Sequence, residues 1–300
     1  MKLLKEISRE AFKSKFGTEE ACYEYLSIQK WSKGYSCKKC NSSKYIKGKQ
    51  PYSRRCCKCG YDESTTADTL FHKLKFGIDK AFGMLYEIVT SKKGANSIWL
   101  AEHFGVQQKT SWLFRQKVQI AMKSSTQYPP EDNVHVDEFE IGTPQEGEQG
   151  RSKSEKKTRI VIAFEERNGK TGRGYAKVIK DYSNKSLKPL FDVHIKKDAI
   201  ILADGRSGYK PLKKDYHNLK QILSENVKNF KMLHIQIRNF KNWLRGVHSY
   251  CDKQYQQRYI DEYFFRFNRR NSRSSILDKI IERFVLHKPL TYKMIRIPAT

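Results

Sequence analysis

Two short stretches constrain this chain more than any other feature: VHVDEFEIG at 134–142 and AIILADGRSGY at 199–209. Each is composed like a buried β-strand, yet each carries an aspartate where such a strand would ordinarily carry Val or Ile. In the first, Val134, Val136 and Ile141 are the strand formers and Asp137 is planted among them. In the second, an apolar run from Ala199 to Ala203 ends at Asp204 and Gly205. A carboxylate so placed needs a cation, and hard divalent ions such as magnesium take carboxylate oxygens. The two strands therefore read as the two halves of one metal site, although Asp204-Gly205 alone is also an ordinary turn. Glu138 and Glu140 alternate to the face opposite Asp137 if the strand is regular, which argues against them as ligands.

Charge sets the partner class. With 59 Lys+Arg against 32 Asp+Glu, the formal net charge is +27 over 300 residues and the pI is near 9.7, which points to a polyanion, nucleic acid first. No apolar run approaches the roughly 18 residues that span a bilayer, and no basic amphipathic anchor stands out, so a membrane partner is not expected. The opening MKLLKEISREAFKSKF lacks the apolar core of a signal peptide, so the expected location is the cytoplasm. Seven cysteines in such a compartment argue for metal binding over disulfides.

Four of those cysteines form two CxxC pairs, Cys37 with Cys40 and Cys56 with Cys59, separated by a polar, basic, turn-rich segment. Each pair makes a tight knuckle that aims two thiolates at one point, and two knuckles complete a tetrahedron, so the segment reads as a structural zinc ribbon. So short a stretch has almost no apolar core, and the metal supplies most of its folding energy. Cys57 is taken as a non-ligand, and Cys22 lies on the apolar face of a helix beginning near residue 18. Arg54 and Arg55, with the lysines around the knuckles, are candidate phosphate contacts.

Helical periodicity follows the ribbon. One helix spans about 77–90, a second about 96–104 and stops at Gly105, and a third starts near Lys109 with Trp112, Val118 and Ala121 inward. Lys109, Arg115, Gln116 and Lys117 are expected mostly outward. That order fits a helix-turn-helix, with the basic third helix as the DNA reader; plain three-helix packing is the alternative.

After a linker at Tyr128, Pro129 and Pro130 the pattern changes to strands: 134–141, 158–165 and 174–179, a helix over 184–194, then the strand ending in Asp204. Three antiparallel strands, a crossover helix and a fourth strand beside the first is the order of an RNase H-like sheet, which makes Asp137 and Asp204 neighbours. A short strand at 232–235 is expected to lead into the next helix. The fold class is thus α+β and multidomain: a helical lead-in (1–33), the ribbon (34–64), a helix-turn-helix domain (65–127), and a mixed five-stranded sheet flanked by helices (128–290).

The run FKSKFGTEEACYEYLSIQKW, the CxxC pairs, VDEFEIG, ADGRSGY, HIQIRNFKNWLRG and YIDEYFFRFNRR occur in the order seen in a known family. Over roughly residues 12–270 the chain resembles bacterial insertion-sequence transposases with an N-terminal zinc ribbon and a DDE-type, RNase H-like catalytic domain. The resemblance implies cleavage at the ends of a mobile element and transfer of the freed 3′ hydroxyl into double-stranded target DNA. It also implies two catalytic Mg or Mn ions and a homodimer or higher synaptic assembly. Asp137 and Asp204 match the first two metal-binding acids. At the third position the chain offers Asn239 with Lys241, like an Asn-and-Lys variant of the family, although residues two apart on a helix point about 200° away from each other. Arg245 is a further candidate on that helix. Two other readings stay open: a former transposase that serves as a DNA-binding regulator, and a plain nuclease or resolvase of the same fold.

Overall fold

The structure is a computed structural model; it describes residues 8–142, 157–222, 230–248 and 250–296. They form two compact units, one of Met1–Met122 with Asn271–Thr300 and one of Lys123–Arg270.

The first unit begins with α1 (Arg9–Phe16) and α2 (Glu19–Lys30), each started by a hydroxyl cap: Ser8 accepts from the Ala11 N–H and Thr18 from the Ala21 N–H. The ribbon follows as β1 (Tyr45–Lys47), β2 (Arg54–Cys56) and β3 (Asp62–Glu63), paired antiparallel in that order. It docks at the end of α2 through Trp31, which packs with Tyr35, Cys37 and Cys56, and through polar contacts. Lys30 Nζ donates to the Ser64 and Ala67 carbonyls and lies 2.8 Å from the buried Glu63. Helix α3 (Ile78–Thr90) is buried at Ile78 and from Ala81 to Val89 and is the centre of the unit. Its first N–H lacks a local cap and is taken instead by Glu19 Oε1 at 3.2 Å. Helix α4 (Ser97–Phe104) is capped by Asn96 and ended by Gly105 at φ +60°, a conformation that favours glycine. Helix α5 is Gln108–Ala121.

The chain then returns to this unit at its end, with α9 (Ile276–Leu286) and α10 (Tyr292–Arg296). Phe284 packs on Phe71 and Phe114, Arg273 donates to the Thr90 carbonyl at the end of α3, and Arg283 to the Ala121 carbonyl at the end of α5. This corrects the sequence boundary at 290. The amphipathic run after residue 271 buries Ile276, Leu277, Ile280, Ile281 and Phe284 and completes the first unit, where its arginines satisfy helix C-termini.

The second unit is one mixed sheet of five strands in the order β6-β5-β4-β7-β8. β4 (Asn133–Ile141), β5 (Thr158–Arg167) and β6 (Lys170–Ile179) form the antiparallel meander, α6 (Asn184–His194) crosses over, and β7 (Ile200–Asp204) pairs parallel to β4. The fifth strand, β8 (Leu219–Ile222), pairs parallel to β7. Side-chain alternation splits the core in two. Val134, Val136, Ile201 and Ala203 face α6, while Phe139, Ile160, Ile162 and Leu202 face α7 (Lys231–Val247) and α8 (Gln256–Phe267). The expected strand at 232–235 is the first turn of α7. MLHI reads as a short strand, but Leu233, Ile237 and Phe240 are buried at i, i+4 and i+7, and that longer period prevails.

Candidate active site and metal centres

Register decides where the two aspartates go. β4 and β7 pair Asn133 with Ile200 and so on up to Val136 with Ala203; the next step along both strands is Asp137 beside Asp204. Neighbouring strands lie about 4.8 Å apart and in-register parallel partners share a face, so both carboxylates leave the sheet on the α7 side at the C-terminal ends of the strands. Each is held by the backbone that follows it. Asp137 Oδ1 accepts from the Glu138 N–H (2.7 Å) and Asp204 Oδ1 from the Gly205 N–H (2.6 Å). That clamp fixes one oxygen of each group. Two such carboxylates at one strand end are a donor set suited to a hard divalent ion.

Helix α7 crosses this end of the sheet and presents a cationic flank. His234 is close enough to Asp204 to feel its charge, although burial, the larger effect, lowers its pKa and favours the neutral imidazole. Lys241 lies two turns on, its Nζ 5.3 Å from the Phe139 ring centre. Its pKa is lowered by burial first, then by Arg245, and is partly restored by Glu140. Asn239 is exposed, and helical rotation puts it about 140° round α7 from His234. None of the contacts among the described residues joins it to either aspartate. The described contacts thus link His234 to Asp204, place Lys241 over Phe139 on the same flank of α7, and leave Asn239 exposed on another flank. Arg245 is exposed beside Lys241.

The opposite face at the same strand end is also charged. Glu138 is buried and lies 3.5 Å from Arg206 Nε, which is 3.6 Å from Asp204 Oδ2. Glu140 accepts from Tyr182 Oη at 2.6 Å and lies 3.8 Å from both Lys157 and Arg159. Both glutamates are thus turned away from Asp137, as alternation predicts. Arg206 and Tyr182 were not singled out by the sequence; the only signal was an arginine two residues past a strand-end aspartate.

A model of the ISXO2-like transposase domain matches residues 131–268. Residues 131–268 belong to that family. The match starts two residues before β4 and ends one residue after α8, so the transposase domain coincides with the folded elements of the second unit. Among solved structures, a chain from the crystal structure of a pre-cleavage Mos1 transpososome is similar at 10% identity and a TM-score of 0.26. That similarity covers 70% of this chain and 79% of that one; the assignment rests on the family match. No curated protein matches the chain.

Ahead of the transposase domain, the four ribbon cysteines come together. Their Sγ atoms all lie within 4.8 Å of one another, with Cys37–Cys59 and Cys40–Cys56 at 3.5 Å. Zinc–sulfur bonds of about 2.3 Å in a tetrahedron require sulfurs about 3.8 Å apart, so the set fits zinc. Both knuckles close alike: the Asn41 N–H donates to the Cys37 carbonyl and the Gly60 N–H to the Cys56 carbonyl. Asn41 (φ 55°) and Gly60 (φ 71°) adopt the left-handed turn this needs. Burial opposes a thiolate at Cys37, but the N–H groups of Lys39 and Cys40 and the Cys59 side chain outweigh it and bring the thiol to about 6. Exposed Cys57 lies outside the cluster. Among the described residues this is the one group of three or more His, Cys, Asp or Glu gathered tightly enough for an ion.

Several expected DNA contacts prove to be internal. Arg115 is 2% exposed and donates to the Ala95 carbonyl (2.9 Å), and Lys117 is 7% exposed and donates to the Leu70 carbonyl (3.1 Å). Helix α5 is not a half-exposed third helix, because α9 and α10 cover the side that a three-helix bundle would leave to solvent. Arg54 is stacked between Trp31 and Tyr45, 4.4 and 4.1 Å from the ring centres. Arg55 and Lys109 are exposed; the Lys109 amine lies 5.1 Å from the Tyr292 ring centre. No helix among the described residues is long and apolar enough to cross a membrane.

Proposed function

We propose that the chain is a DNA transposase that cleaves the ends of an insertion sequence and joins the freed 3′ hydroxyl to target DNA. What supports this best is the parallel register of β4 and β7, which runs through Val136 and Ala203, the residues just before Asp137 and Asp204, in a sheet that matches a transposase family. In this reading Asp137 and Asp204 hold two Mg or Mn ions at the scissile phosphate. When bound, such ions lower the pKa of the attacking water and stabilise the departing 3′ oxygen. Lys241 offsets phosphate charge, and its lowered pKa reflects the dry flank it occupies. His234, held neutral by burial beside Asp204, takes the third place that the resemblance gave to Asn239. The zinc ribbon, through Arg55 and neighbouring lysines, and a helix-turn-helix of α4 and α5, through Lys109, contact phosphates of the element end. Two ends are joined, so the working form is a dimer or larger synapse.

The exposed position of Asn239 favours a second reading, a transposase-derived DNA-binding regulator without strand chemistry. The deciding experiment is strand cleavage of duplexes carrying the element's terminal sequence, with Mg²⁺ or Mn²⁺, by the full chain and by Asp137→Asn and Asp204→Asn. Metal-dependent nicking lost in both variants supports the enzyme. Specific binding with no nicking in either ion supports the regulator.

A further inference from the structure

Arg206 occupies a place the reaction scheme leaves unused. Its Nε lies between the carboxylates of Glu138, 3.5 Å away, and Asp204, 3.6 Å away, and its guanidinium faces the Tyr182 ring at 5.0 Å. The backbone beneath it is fixed, because Gln221 Nε2 of β8 donates to the Arg206 carbonyl (2.6 Å) and, more weakly, to the Asp204 carbonyl (3.3 Å). Its side chain is 35% exposed while that of Glu138 is 0% exposed, so the fixed, dry partner is Glu138 and the open one is Asp204. Asp204 spends Oδ1 on the Gly205 N–H, and Oδ2 is the atom nearest the arginine.

We infer that Arg206 is a positioning residue that sets the divalent-ion affinity of the Asp137–Asp204 site: it serves as the internal counter-ion of Asp204 and retreats onto Glu138 when an ion takes Oδ2. This rests on the metal-site reading above. A single positive charge this close to a divalent ion competes with it for the same oxygen, and Glu138 lowers the cost of moving the guanidinium aside. The two partners must then act with opposite sign. Removing the arginine charge tightens ion binding; removing the Glu138 charge leaves Arg206 dependent on Asp204 and weakens it. A merely structural role for the pair would weaken binding in both cases.

The test is Mn²⁺ titration of the zinc-loaded full chain, followed by calorimetry or by the paramagnetic signal of free Mn²⁺, with Asp204→Asn defining the site's contribution. The expected results are binding about fivefold tighter in Arg206→Gln, about fivefold weaker in Glu138→Gln, and near the parent value in Arg206→Lys. Weaker or unchanged binding in Arg206→Gln, with Arg206→Lys folded and normal, overturns the inference and leaves the metal site standing. If the parent chain shows no Mn²⁺ binding that Asp204→Asn removes, the metal-site reading fails first and this inference with it. Should Arg206→Gln not fold, Glu138→Gln and Arg206→Lys still decide, since binding unchanged in the former contradicts the exchange.

Discussion

The two candidate metal centres of this chain are built in opposite ways. In the ribbon, four thiols converge from two local knuckles closed by left-handed residues at Asn41 and Gly60, and the cluster is itself most of the core. In the transposase domain, two aspartates reach one end of the sheet because β4 and β7, far apart in the chain, pair in register up to Val136 and Ala203, and the core stands on both faces of the sheet without them. One site makes its fold; the other is made by its fold. A closed set of soft ligands suits a structural ion, whereas a sparse set of hard ligands at a strand end leaves room for a substrate.

The largest expected effect follows from that contrast. Stripping zinc with a chelator, or Cys37→Ser, should cost the ribbon on the order of 10 kcal/mol of folding free energy. Amide protection should then vanish across residues 45–63 while β4, β5 and β7 keep theirs. Loss of protection in the sheet as well would break the comparison. Next in size, Asp137→Asn or Asp204→Asn should lower strand cleavage by about a thousandfold with the thermal midpoint unchanged or raised, since a pair of like charges is relieved. A variant that unfolds instead would place these groups in the framework. More finely, His234→Ala should slow cleavage by about tenfold or more and Asn239→Ala by less than about threefold; the reverse order would restore Asn239 to the site.

Two smaller effects probe the frameworks themselves. His194 is stacked on Tyr175 at 4.4 Å, and burial, with Lys177 adding to it, brings its pKa from 6.5 down to about 4. Between those values the unfolded chain binds the proton that the folded one refuses, so stability of the transposase domain should fall as pH drops from 6.5 to about 4 and then level off. The loss should be on the order of 3 kcal/mol, measured by denaturant melts, and His194→Phe should remove it. In the first unit, burial alone lowers the Lys117 pKa. Lys117→Met should stabilise by about 1 kcal/mol without altering DNA affinity, whereas Arg55→Ala should reduce the salt dependence of DNA binding by about one phosphate contact.

What the sequence showed and what it hid divide along the same line. The ribbon was legible because its ligands lie within one short segment and each knuckle is local. The pairing of the strands that carry Asp137 and Asp204 was legible because meander, crossover helix and parallel return leave few other sheet orders. Effects set by distant packing were not. Arg115 and Lys117 read as outward on a basic helix, and only the return of α9, whose Arg283 meets Ala121 across 162 positions, shows why they are inside. β8 was missed because LKQI is short and half polar. The first turn of α7 was mistaken for a strand because MLHI fits both periods until Ile237 and Phe240 are included. Arg206 gave only its place two residues past a strand-end aspartate, since its meaning depends on Glu138 on the neighbouring strand.

The central claim is that Asp137 and Asp204 grip the same ion. Crystals of the full chain soaked in Mn²⁺ and recorded at the manganese absorption edge test it directly. The account predicts an anomalous peak bridging the carboxylates of Asp137 and Asp204 on the α7 side of the sheet. Strong peaks elsewhere with none between those two side chains would contradict it.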